Sequence, residues 1–142
     1  KKIDKKSFIK IARKVDKFGF LPHPAFHVFN IFKRTGKDPS FHTIKTMDSC
    51  RVGFGKVTSY KLKVTSITIE TKQLTICNQQ LVFTEPLIKE INLNYKEKQF
   101  VNNLKVGDWV SFHWGMICDV LTEKQVNNLK YFTQKAINFY NS

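Results

Sequence analysis

Between residues 57 and 114 the chain is a succession of short segments rich in β-branched and aromatic residues, separated by polar or glycine-containing turns, with no helical periodicity between them. These segments cover 57–64, 66–71, 74–77, 80–83, 88–95 and 108–114. Each carries the strand signal of β-forming residues bounded by turn residues. Strands that follow one another without intervening helices are expected to build a small barrel or a sandwich. The predicted fold class is therefore mainly β. In the segment 108–114, alternation predicts Val110, Phe112 and Trp114 on the core face and Trp109, Ser111 and His113 on the other.

Helical patterns flank this region. Phe8, Ile11, Ala12, Val15 and Phe18 recur at helical spacing, with Ser7 as a cap and Gly19 as a stop, so 7–18 is predicted helix. Its other face carries Lys5, Lys6, Lys10, Arg13, Lys14 and Lys17. That face is either a solvated surface or a docking element for an acidic partner, with Lys6, Lys10, Arg13, Lys14 and Lys17 as its contact residues. Pro22 and Pro24 forbid helix continuation. Beyond them the strand formers of 26–32, the turn residues of 35–39 and the segment 41–47 predict a β-hairpin. At the other end, Thr122 and Gln125 form a capping box, and Val126, Leu129, Phe132, Ala136 and Phe139 predict a helix over 123–140. The expected organisation is an N-terminal helix-hairpin extension over 1–49 and a β domain with a C-terminal helix over 50–142.

Charge narrows the choice of partner. Twenty-four Lys and Arg against eleven Asp and Glu give a net charge of +13, of which residues 1–49 carry +8 and the first seventeen residues +6. Such a balance attracts nucleic acid, acidic proteins or an anionic membrane surface. No apolar run approaches the roughly 20 residues that span a bilayer, and the charge in 1–17 stands where a signal peptide would be apolar. A soluble cytoplasmic protein is expected. Cys50, Cys77 and Cys118 are odd in number and widely spaced, which writes neither a disulfide framework nor a zinc site and suits free thiols in a reducing compartment.

The usual enzyme templates fail. Gly53-Phe54-Gly55-Lys56 lacks both the spacing of a phosphate-binding loop and a following helix, and neither a G-x-S-x-G elbow nor an H-E-x-x-H pair is present. No carboxylate pair stands out as acid and base, so no enzymatic activity is expected. Two residues remain in suggestive settings. Cys50 lies beside Arg51 and near Lys56, whose charge would favour a thiolate, although a small buried hydrophobe explains the same residue. His113, off the most apolar face of its strand, is a soft-metal ligand or an ordinary structural histidine. His23 and His27 are four apart, but the prolines remove the helix that would align them. Cys77, beside the Asn78-Gln79 turn, and Cys118, within an apolar run, are expected to be structural.

Residues 50–57, Cys-Arg-Val-Gly-Phe-Gly-Lys-Val, and 106–115, Val-Gly-Asp-Trp-Val-Ser-Phe-His-Trp-Gly, resemble two motifs of the HypC/HupF hydrogenase maturation chaperones, C-x-x-x-P-G-[KR]-V and V-G-D-[YW]-V-L-V-H-x-G. Phe54 stands where the first motif has Pro, and forty-nine residues precede Cys50. The resemblance, over 50–142, implies an OB-like barrel with a C-terminal helix. It implies an assembly role in which an iron fragment is held by Cys50 and His113 and passed between a hydrogenase assembly protein and the hydrogenase large subunit. His27 or His42 would complete that site if the extension folded over the barrel. Residues 22–29, Pro-His-Pro-Ala-Phe-His-Val-Phe, resemble an uncharacterised family of longer prokaryotic proteins ending in such a barrel, and the chain, beginning at Lys1, is expected to be part of a longer one. A competing expectation is a single-stranded nucleic-acid-binding module, since an OB-like barrel with a large positive charge and exposed aromatics can stack bases and follow phosphates.

Overall fold

A computed structural model describes residues 41–60, 65–96, 98, 99 and 101–142, together with Lys6, Ile9, Arg13, Val28 and Phe29. Its described elements are helix α1 (Phe41–Cys50), strands β1 (Gly53–Ser59), β2 (Ser66–Thr71), β3 (Leu74–Cys77), β4 (Gln80–Phe83), β5 (Leu87–Asn92), β6 (Asn94–Tyr95), β7 (Lys98–Gln99), β8 (Trp109–His113) and β9 (Met116–Leu121), and helix α2 (Glu123–Asn141). The protein is mainly β with a C-terminal helix. β1, β2, β5, β9 and β8 pair in that order, and β8 pairs back onto β1, so the ring of hydrogen bonds closes. Four of the pairings are antiparallel, and β5 with β9 is parallel at Asn92 and Met116. β3 with β4 and β6 with β7 form separate hairpins.

Inward residues of the ring, Val57, Ile67, Ile69, Ile91, Val110, Phe112 and Ile117, form one core with Leu93, Val101 and Leu104. Gly53 makes room for it. A Cβ built on Gly53 would lie 2.4 Å from the Phe112 ring, so the ring occupies the space that any larger residue there would claim. The pair Gly53 and Gly55 on β1 is thus a packing device rather than a ligand loop. A second core joins Phe29 to Ile44 and Met47 of α1, Leu74 and Leu81 of the β3–β4 hairpin, and Ala136 and Ile137 of α2.

The hairpin expected from 26–32 and 41–47 is not formed, because Val28 and Phe29 are helical and 41–50 is α1. Ile44 and Met47 are buried while Lys45 and Thr46 are exposed. A strand would place Ile44 and Thr46 on one face, whereas a helix brings residues three apart to the same side. The β-forming composition of 41–47 therefore misleads, and the spacing of its two buried residues decides. Lys6, Ile9 and Arg13, from the segment read as the basic N-terminal helix, are helical and exposed; Lys10, Lys14 and Lys17 lie outside the described residues.

Two hairpins turn on pairs of residues with positive φ, Asn78-Gln79 between β3 and β4 and Trp114-Gly115 between β8 and β9. Such two-residue turns match the right-handed twist of the flanking strands. The second turn corrects the expected placement of Trp114. With φ at +52° it has left the strand, and its side chain is 59% exposed rather than in the core. The segment 116–121, read from sequence only as an apolar stretch, is the strand that completes the ring. α2 begins with the expected capping box, in which the Gln125 N–H donates to Thr122 Oγ1 at 3.3 Å and the Thr122 N–H to Gln125 Oε1 at 2.8 Å. At its end the Asn141 amide bonds both the N–H and the C=O of Leu81 on β4, at 2.7 and 2.8 Å, as a neighbouring strand would.

Phe112→Ala is expected to destabilise the protein by about 3–5 kcal/mol, because it empties the space that Gly53 leaves. His113→Ala, losing one exposed hydrogen bond, is expected to cost only about 0.5–1.5 kcal/mol. Urea denaturation of the two variants measures the difference.

Candidate functional site

β8 sends side chains toward two surface features. Trp109 and His113 are four residues apart on the strand, and successive alternation puts both on its outer side, about 13 Å from each other. Trp109 opens onto a groove and His113 onto the end of α1.

The groove lies between the outer side of the ring and α2, with a volume of about 380 Å³. Phe54 of β1, Trp109 of β8 and Phe83 of β4 line it with aromatic residues, and Lys72, Lys130 and Gln134 line it as well. Phe54 points outward because its neighbours Gly53 and Gly55 face the core. Lys130, on the first half of α2, places its ammonium 4.8 Å from the centre of the Trp109 ring, within cation–π range. Glu70 is the acidic member of the lining. Two cations and three rings around one cleft suit a ligand with planar, apolar faces and negative charge.

Beneath the groove, Arg51 is buried to 2% exposure. Its Nε donates to Asp48 Oδ1 at 2.8 Å, and an Nη donates to the Lys72 carbonyl at 2.8 Å. The guanidinium carbon stands 5.1 Å from the centre of the Phe83 ring. Burial lowers the Arg51 pKa from its ordinary value, and the charge and hydrogen bond of Asp48 oppose that fall.

The end of α1 meets β8 directly. The last carbonyls of a helix have no partner within it. Here the Trp114 N–H donates to the Ser49 carbonyl at 3.2 Å, and His113 Nε2 lies 3.0 Å from the Cys50 carbonyl. Since a carbonyl only accepts, His113 Nε2 carries the proton and Nδ1 is the nitrogen open to a ligand. Cys50 and His113, 63 positions apart in sequence, are thus brought together, through the backbone of one and the ring of the other.

Other parts of the expected metal site are arranged differently. Arg51 is committed to Asp48 and Lys72, and Lys56 stands on β1 between Trp109 and Glu70, so neither serves as the thiolate-stabilising charge read from sequence. Burial pushes the Cys50 thiol up from its ordinary pKa. His42 is near the start of α1 and Cys50 is its last residue, about 12 Å apart along the axis. His27 lies outside the described residues. Among the described residues no three His, Cys, Asp or Glu side chains form a metal-binding group. Cys77 and Cys118 are exposed free thiols rather than buried ones, and the Cys118 pKa is raised by burial of its sulfur and by the charge of Asp119.

The outward direction of Trp109 was readable from the alternation of β8. The groove itself was not, because Phe83, Lys72 and Lys130 reach it from three elements whose mutual placement no local pattern announces. No described helix is long and apolar enough to cross a membrane.

Fold and surface together define a mainly β protein with a closed five-stranded ring and an aromatic, basic groove. A family model matches residues 2–142, and the chain belongs to that family, described as a family of unknown function (DUF6390). This match corrects the resemblance to the HypC/HupF chaperones: nearly the whole chain falls in one different family, not in theirs. Two short motifs, one with Phe54 in place of Pro, were too little to carry the assignment. No curated protein and no solved structure matches the chain.

The raised thiol predicts the behaviour of Cys50 toward alkylation. Below an ordinary thiol pKa of about 8.5 it is expected to react slowly, and its rate should keep rising with pH above that value. Mass spectrometry of alkylated peptides across a pH series reads it.

Proposed function

We propose that the protein is a non-enzymatic binding module that takes up single-stranded nucleic acid in the groove between the ring and α2. The observation that carries this reading is the convergence of Trp109, Phe54 and Phe83 with Lys72 and Lys130 in one cleft. Aromatic faces stack bases of any sequence at about 1–3 kcal/mol each, while lysines neutralise the backbone. Two further features support it. Counted along the chain, the ring strands neighbour one another in the order first, second, third, fifth, fourth, with the third and fifth parallel, which we read as an OB-like barrel, a fold much used for oligonucleotides. The net charge of +13 supplies long-range attraction, and Lys6 and Arg13 stand exposed in its most basic segment. Three free thiols, two of them exposed, suit a reducing compartment such as the cytoplasm.

A second reading, a metal-holding accessory factor, is favoured by the meeting of His113 with Cys50. In it, Cys50 Sγ and His113 Nδ1 take a soft ion such as iron in transit to a partner protein, which the basic N-terminal segment would engage. The hydrogenase client rested on the resemblance now corrected and is not retained. Cys50→Ser is expected to abolish iron retention, measured by metal analysis, while leaving the denaturation midpoint unchanged; equal iron in both proteins removes the reading.

Fluorescence anisotropy with labelled oligo(dT), oligo(rU) and a duplex tests the first reading. Trp109→Ala is expected to weaken single-strand binding about tenfold by loss of one stacking surface. Lys130→Ala should weaken it and lower the slope of log affinity against log salt by about one. No single-strand binding in the micromolar range, or preference for the duplex, overturns it.

A further inference from the structure

The buried charge under the groove has a use that its exposure alone conceals. Arg51 lines no part of the groove, yet both of its contacts outside α1 and its own neighbour end there. Its Nη holds the Lys72 carbonyl at 2.8 Å, and its guanidinium faces the Phe83 ring at 5.1 Å. Lys72 and Phe83 are groove residues from different elements, the end of β2 and the end of β4. The backbones of these two ends are joined one residue further on, where the Thr84 N–H donates to the Gln73 carbonyl at 2.8 Å and the Gln73 N–H to Thr84 Oγ1 at 3.1 Å. Arg51 is the side chain that reaches the Lys72 carbonyl and the Phe83 ring together. Arg51 is in turn anchored by Asp48, whose Oδ1 also accepts the Leu74 N–H at 3.0 Å, at the start of the β3–β4 hairpin.

We propose that Arg51 is a positioning residue for the groove, holding the Phe83 ring and the Lys72 backbone in the relative placement that lets one strand of nucleic acid stack on Phe83 and meet the Lys72 ammonium at once. The inference rests on the nucleic-acid reading of the groove. Only arginine fits the role: its fork brings Nε and an Nη to Asp48 Oδ1, each at 2.8 Å, while that Nη also donates to the Lys72 carbonyl and the guanidinium carbon stands 5.1 Å over the Phe83 ring. A lysine ammonium is a compact point charge that cannot do all of this. Its burial means that the ligand's phosphates touch Lys72 and Lys130, not Arg51.

That distinction gives the test, made on the full chain with labelled oligo(dT) over a series of salt concentrations. Arg51→Lys and Phe83→Leu are each expected to weaken binding about tenfold, by loss of an aligned stacking face, while the slope of log affinity against log salt stays that of the unmodified protein. Lys130→Ala, the reference, lowers the slope by about one. If Arg51→Lys does not fold, Asp48→Asn, which keeps the guanidinium but weakens its anchor, takes its place: it is expected to weaken binding with the slope unchanged, and folded Asp48→Asn protein with unchanged affinity overturns the role. Circular dichroism and urea midpoints establish which variants are folded. Folded Arg51→Lys or Phe83→Leu protein with unchanged affinity overturns the positioning role, as does a slope that falls by one in Arg51→Lys, which would make Arg51 a direct phosphate contact. If Trp109→Ala and Lys130→Ala lose binding while these two variants keep it, the groove reading stands and the role of Arg51 fails. If all four bind as the unmodified protein does, the groove reading itself has failed.

Discussion

Arg51 carries a charge into the interior, at 2% exposure, and the surrounding elements are arranged to receive it. Asp48, one turn earlier at the end of α1, supplies the counter-charge at 2.8 Å, the Lys72 carbonyl accepts a hydrogen bond at 2.8 Å, and the guanidinium carbon stands 5.1 Å over the centre of the Phe83 ring. Burying such a pair is favourable only when its hydrogen bonds are nearly all made, because desolvating each ion costs several kcal/mol. Removing either partner would strand the other and cost about 3–5 kcal/mol. The pair therefore fixes three relations together: where α1 ends, how the chain leaves β2, and where the β3–β4 hairpin begins, since Asp48 also holds the Leu74 N–H.

The ring depends on a different constraint, the fit of large side chains against absent ones. Gly53 and Gly55 face inward on β1, where a Cβ would strike the Phe112 ring at the first and the Glu70 carbonyl and Ile69 at the second, each within 3 Å. Within the ring, β8 and β9 pair across the Trp114-Gly115 turn, and the ring closes where β9 lies parallel to β5. α2 is held to the second core by Ala136 and Ile137 and to β4 by the Asn141 amide, so Lys130 and Gln134 are delivered to the groove by contacts made elsewhere on the same helix.

Both candidate sites therefore draw on β8. One face of one strand presents Trp109 to the groove and His113 to the end of α1. The imidazole there has a structural duty that its exposure does not reveal: it closes an unpaired helix carbonyl, which leaves Nδ1 alone for any ligand. The groove is the better equipped of the two, with rings and cations already converging, whereas the Cys50 thiol is pushed up by burial toward its neutral form.

Much of the local structure was legible in the residues themselves. The strands over 66–71, 74–77 and 80–83, the Asn78-Gln79 turn and the Thr122–Gln125 cap lie where the sequence puts them, because alternation, turn chemistry and capping act within a few residues. What the sequence left open, or suggested wrongly, depended on distant partners. Phe41, Thr43 and Ile44 favour a strand, and α1 forms because Ile44 and Met47 both have Phe29, Leu74 and Leu81 to pack against. Trp114 continues the alternation of β8 on paper, but the turn to β9 takes it out of the strand and into solvent. Arg51 reads as a surface charge beside a cysteine, and only the approach of Asp48, Lys72 and Phe83 makes it a buried one. The sequence by itself determined the strands, their turns and the capped final helix, since those depend on period and on neighbours along the chain; the closure of the ring, the burial of Arg51 and the groove were decided by tertiary structure, because each needs groups more than twenty residues apart to meet.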